Sequence, residues 1–129
     1  MKTHIAIAGA AGRMGRQLIE ACIQANDVIL AAALEHPQSN FIGSDAGELA
    51  SLGKQNINIV TDLNTIISQF EVLIDFTNPQ ATLAHLAKCQ TTAKRMVIGT
   101  TGFSAQQRQL IEQAAQKIAI VLYLQPQSP

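Results

Sequence analysis

The sequence predicts a single three-layer α/β domain built on a doubly wound parallel sheet. Three observations carry that expectation. Short, wholly apolar runs recur along the chain, stretches with helical spacing separate them, and a glycine-rich turn joins the first run to the first helix. A length of 129 residues suits one ordinary domain. The balance of 47% hydrophobic to 14% charged residues fits a sheet covered on both faces and excludes a disordered or fibrous chain.

Ile5–Ala8 is a buried strand ending at Gly9. From Arg13, Met14, Leu18, Ile19, Cys22 and Ile23 fall on one helical face, predicting a helix to about Ala25. Asn26-Asp27 turns the chain into a second strand, Val28–Leu34, so a parallel crossover is expected. The Gly-, Ser- and Asn-rich stretch from His36 to Asn56 reads as an elaborated surface loop with a helical turn near Ala46–Leu52. Ile57–Val60 is a third strand. Thr61 or Asp62 then caps a helix carrying Leu63, Ile66, Ile67 and Phe70. Val72–Ile74 is the fourth strand, and Asn78 with Pro79 opens a helix to about Thr91. Met96–Ile98 is the fifth strand. Ser104 caps a helix through Leu110, Ile111, Ala114 and Ala115, and Ile118–Leu122 closes the sheet.

Nine basic residues balance nine acidic ones, so no overall field attracts nucleic acid or an anionic membrane. Cys22 and Cys89 lie far apart in apolar stretches and read as reduced core thiols, and no His/Cys/Asp grouping has metal-ligand spacing. The opening apolar run is too short to span a membrane, and with no export signal the expected location is the cytoplasm. His4 and His85 sit away from strand ends and read as structural.

Gly9-Ala10-Ala11-Gly12-Arg13-Met14-Gly15 stands between a strand and a helix, the setting of a Rossmann-like dinucleotide fingerprint. Gly9 allows the tight turn, Gly12 lets backbone approach a pyrophosphate, and Gly15 lets the helix pack against the sheet. Ala11 occupies the second glycine's usual place. Glu35, twenty residues after Gly15 at the end of the second strand, is placed to take the adenosine ribose hydroxyls. His36 offers a pH-dependent cation beside it, so both NADH and NADPH are expected to be accepted. Asp75-Phe76-Thr77 and Gly99-Thr100-Thr101-Gly102 end the fourth and fifth strands, at the edge where open α/β sheets bind ligands.

Together, IAIAGAAGRMGRQL, AALEHP, GSDAGELA, VLIDFTNPQATLAHL, MVIGTTGF and IAIV resemble the amino-terminal domain of the 4-hydroxy-tetrahydrodipicolinate (dihydrodipicolinate) reductases of lysine and diaminopimelate synthesis. The resemblance implies hydride transfer from NADH or NADPH to a cyclic dicarboxylic imine-type substrate, with loss of water. It places cofactor contacts on Gly9, Ala10, Ala11, Gly12, Arg13, Met14, Glu35, Gly99, Thr100 and Thr101. Many members follow the acid with an arginine that holds the NADPH phosphate; here the residue is His36.

The resemblance runs to about Leu122, dividing the chain into an NAD(P)-binding domain over 1–122 and a divergent tail over 123–129. The family's paired histidines and catalytic lysine belong to a later domain that also builds its homotetramer, so no catalytic residue is assigned here. Losing a general acid alone costs about 10²–10⁴-fold, so this chain by itself is expected to bind cofactor with little or no turnover. A non-enzymatic NAD(P)-binding module, such as a redox-responsive regulator, is the alternative. A third reading is a poorly folding fragment that associates through apolar surface near Leu122 and Leu124.

Overall fold

A computed structural model describes residues 2–123. Six parallel strands form one sheet in the order β3-β2-β1-β4-β5-β6: β1 Thr3–Ala8, β2 Val28–Leu34, β3 Ile59–Val60, β4 Val72–Asp75, β5 Arg95–Ile98 and β6 Ile120–Leu122. The helices are α1 Arg13–Gln24, α2 Ala46–Leu49, α3 Pro79–Thr92 and α4 Ala105–Ala114. The chain winds from β1 out to β3 and then returns to β4 on the other side of β1. The carboxyl ends of β1 and β4 therefore flank the switch point, where a crevice opens in folds of this kind.

Side chains alternate across a strand, and β1 uses that alternation to feed two cores. Ile5 and Ile7 pack with Ile19 and Cys22 of α1, with Leu30, and with Ala46 of α2. Ala6 and Ala8 face the opposite layer, with Leu86 and Cys89 of α3 and Ile111 and Ala114 of α4. Small residues on that side, Ala32 included, leave room for Leu73, Phe70 and Met96. Both thiols are free and buried. Burial raises the Cys22 thiol, while burial and then the Asp75 charge push Cys89 up to about 12, which makes both poor nucleophiles. Among the described residues no helix is long and apolar enough to cross a membrane.

One expectation needs correction. The helix anticipated through Phe70 is a 3₁₀ turn over Leu63–Ile66, capped by Asp62, whose carboxylate accepts the Asn64 N–H at 2.9 Å. β-Branched Thr65, Ile66 and Ile67 weaken an α-helix here, and bonds such as Thr65 N–H to Asp62 O tighten it. On α4, Leu110 is 51% exposed, whereas Ile111 and Ala114 are buried. At the β6 edge the exposed residues are Val121 and Tyr123; Leu122 packs on the core, and Leu124 and the rest of the tail lie outside the described residues.

The segment from His36 to Asn56 is also more ordered than a solvated loop. Gly43 N–H bonds to Ile59 O, Ala46 N–H to Ile57 O, and Ile59 N–H to Ser44 O. The buried Asp45 carboxylate holds it together by accepting N–H groups from Glu48 at 3.1 Å, Gln55 at 2.9 Å and Ile57 at 3.0 Å. Burial pushes this carboxyl up, but backbone N–H groups of Gln55, Glu48, Ile57 and Asn56 outweigh it and hold the pKa below its ordinary value of 3.8. Asp45→Asn removes that charge and is expected to cost about 2 kcal/mol at neutral pH in urea unfolding. A depressed pKa contributes stability above the unfolded value that is lost as pH falls through the folded one. The gap between wild type and variant should therefore narrow below pH 3.8.

Candidate functional site

At the carboxyl ends of β1 to β4 lies a groove of about 440 Å³. Gly9 and Gly12 line it on one side, Glu35 and His36 beyond β2, Phe76, Thr77 and Asn78 after β4, and His85 on α3. The glycine turn is held closed by its own backbone. Gly9 and Ala10 N–H groups both bond to Leu34 O, and Gly12 N–H bonds to Gly9 O at 3.1 Å. Gly9 has φ +85°, and a Cβ there would collide with the Phe76 carbonyl oxygen. At Gly15 a Cβ would strike the Gly9 carbonyl oxygen, so the missing side chain lets α1 sit against the end of β1. Gly12 differs: the nearest atom to a Cβ is Gly9 O at 3.4 Å, and the space above it is open.

Of the described helices, α2, α3, α4 and the 3₁₀ turn each have a side-chain cap, from Asp45, Asn78, Ser104 and Asp62. At α1 the N-cap is Gly12, with no side-chain cap, so the first-turn N–H groups from Arg13 onward present their positive end to whatever occupies the groove mouth. An anion fits that arrangement.

Glu35 anchors the opposite rim. Its carboxylate accepts the Ala11 N–H at 2.8 Å and the His36 N–H at 3.2 Å, and its side chain is only 10% exposed. The second-glycine position therefore ties the turn to the end of β2 through its amide rather than offering that amide to a ligand. Each carboxylate oxygen retains a lone pair for a hydroxyl donor. His36 is 66% exposed and 4.0 Å from Glu35.

The sequence-derived positions do not all meet at one surface. Gly9, Gly12 and Glu35 line the groove, as does Thr77. Ala10 is buried beneath it, and Arg13 and Met14 have exposed side chains outside its lining. Gly99 presses on the Phe76 ring, where no Cβ would fit. The Thr100 side chain turns inward, its Oγ1 accepting Thr77 N–H at 2.9 Å and lying 2.9 Å from Thr82 Oγ1, so only backbone and the exposed Thr101 reach the surface there.

His85, read from sequence as structural, is the residue that reasoning missed. Its Nδ1 is 2.7 Å from Asp75 Oδ2, and its ring lines the groove. Asp75 is fully buried, with the Thr77 and Thr82 hydroxyls 2.6 and 3.2 Å from Oδ1. The available signal was helical spacing: Thr82 and His85 lie three apart on α3 and so face the same acid. His4 makes an exposed pair with Glu71 at 3.0 Å and has no part in the groove.

A family model described as "Dihydrodipicolinate reductase, N-terminus" matches residues 3–124. The 4-hydroxy-tetrahydrodipicolinate reductase of Saccharophagus degradans is 51% identical over 118 residues, covering 92% of this chain and 44% of that protein. Dipicolinate-bound dihydrodipicolinate reductase from Paenisporosarcina sp. TG-14 superposes with a TM-score of 0.74 at 26% identity, covering 95% of this chain and 47% of that one. The WlbA dehydrogenase of Bordetella pertussis, solved with NADH and UDP-GlcNAcA, gives a TM-score of 0.71 at 13% identity over 95% of this chain and 36% of its own, a likeness of fold. The chain thus spans less than half the length of the relatives it matches.

Gly15→Ala gains about 1 kcal/mol of helix propensity, yet the collision with Gly9 O should outweigh it, and a net loss of about 2 kcal/mol is expected by urea denaturation.

Proposed function

The chain belongs to the dihydrodipicolinate reductase family, matching its amino-terminal part, and from that premise we propose that it is the NAD(P)H-holding portion of a reductase acting on a cyclic dicarboxylic imine-type substrate. The observation that carries this reading is the paired rim of the groove. An uncapped helix end suited to a pyrophosphate stands on one side, and a carboxylate suited to ribose hydroxyls is clamped to the same turn through Ala11 N–H. The bound nicotinamide would supply the hydride.

This chain's residues do the holding. Gly9 and Gly15 set α1 against the sheet, Gly12 leaves the approach to its N-terminus open, and Arg13 and Met14 begin its first turn. Glu35 accepts from the ribose. Gly99, Thr100 and Thr101 offer backbone at the end of β5, the side away from Glu35, which suits the nicotinamide half. A net charge of zero and two free, buried thiols fit a cytoplasmic biosynthetic role with a small-molecule partner.

Calorimetric titration tests the reading. Both NADH and NADPH should bind, NADH severalfold more tightly, because the Glu35 carboxylate opposes a 2′-phosphate and the exposed His36 compensates weakly. Absence of binding at millimolar concentrations of either cofactor sinks the proposal. Glu35→Ala should weaken NADH about tenfold and shrink its advantage over NADPH. Gly12→Ala should fold normally, since a Cβ has room, yet lose affinity for both dinucleotides by about tenfold or more.

A further inference from the structure

The glycine turn is also gripped from outside the groove. Arg16, exposed on α1 and away from the groove lining, donates from Nε to the Ala11 carbonyl at 3.0 Å. The Ala11 N–H already goes to Glu35 at 2.8 Å, and the next amide, Gly12 N–H, to Gly9 O at 3.1 Å. Both backbone polar groups of Ala11 are therefore held by side chains, one from the end of β2 and one from the helix that the turn introduces.

The guanidinium is braced in turn. Its Cζ stands 5.3 Å from the centre of the Phe41 ring, on the excursion between β2 and β3. Phe41 is fixed there by its own backbone: its N–H donates to Ser39 Oγ at 3.1 Å, and its carbonyl accepts the Ser44 N–H at 2.9 Å. Arg16 thus joins the turn, α1 and the excursion at one point.

A carbonyl oxygen is the negative end of its peptide, and one left loose beside an anion-binding turn opposes the charge that the turn receives. A hydrogen bond from a cationic side chain fixes its direction and offsets its charge. A turn fixed beforehand also loses less freedom when a ligand arrives.

We propose that Arg16 is a positioning residue for the phosphate turn: by holding Ala11 O against α1, with Phe41 behind it, it keeps the turn in the shape that takes a pyrophosphate. The inference rests on the cofactor reading above. Arg16 acts through Ala11, without touching the cofactor.

Two substitutions separate the holding bond from the charge. Arg16→Gln puts an amide nitrogen as many bonds from the backbone as Nε, so a donor to Ala11 O remains without the cation. Arg16→Met keeps the length and has no donor. By calorimetry Arg16→Met should bind NADH about tenfold more weakly than wild type, whereas Arg16→Gln should stay within about threefold of it. A purely structural role lowers the melting temperature without separating the two variants in affinity. Equal losses in both, or unchanged affinity in Arg16→Met, overturn the assignment and leave cofactor binding standing. A second measurement needs no substitution. By NMR of the isotope-labelled wild type without cofactor, the Arg16 Nε–H should exchange with water about tenfold more slowly than that of the exposed Arg108. Equal exchange at the two arginines overturns the assignment even if neither variant folds. Failure of the wild type to bind NADH overturns the cofactor reading and this inference with it.

Discussion

At the switch point the backbone of β1, the start of α1 and the loops after β4 and β5 come together in a space that admits no side chain. Gly9 lies against the Phe76 carbonyl, Gly15 against the Gly9 carbonyl, and Gly99 against the Phe76 ring. Each contact removes a methyl-sized spacer between two elements. The helix end is consequently seated at the sheet edge, with its first-turn N–H groups aimed at the groove mouth instead of being swung away from it. Everything the groove does with charge follows from that approach.

Two acids at neighbouring strand ends divide the remaining work because their surroundings differ. Glu35, after β2, is clamped by backbone N–H groups of Ala11 and His36 and keeps an edge toward the groove. Asp75, at the end of β4, is fully buried and surrounded by threonine hydroxyls and the His85 ring. A buried carboxylate without such donors would be costly, and with them it rigidifies three segments at once. The β4 end, α3 and the loop after β5 thus share one polar centre, while the rim acid stays free to meet a ligand.

Much of the architecture was legible because local signals and global fold agree. The Val28–Leu34 run, the Asn78-Pro79 start of α3 and the Ser104 cap of α4, reinforced by Gln107 in a reciprocal pair, sit where the residues place them. The errors fell where long-range contacts override local pattern. Asp45 turned a stretch that reads as loop into a folded segment by collecting amides as far away as Ile57. Phe70 reached the core from the irregular stretch after a 3₁₀ turn instead of from an α-helix.

By itself the sequence determined the strand–helix alternation, the glycine turn and the acid twenty residues beyond it, because each is written in the spacing of residues close along the chain. Only the tertiary structure decided that Ala11 spends its amide on Glu35, that Thr100 turns inward, and that His85 belongs to the groove. The physical reason is common to all three. Each depends on an atom brought within hydrogen-bond distance by the packing of one element on another, from 10 to 24 residues away in the chain, and no local periodicity encodes such a meeting.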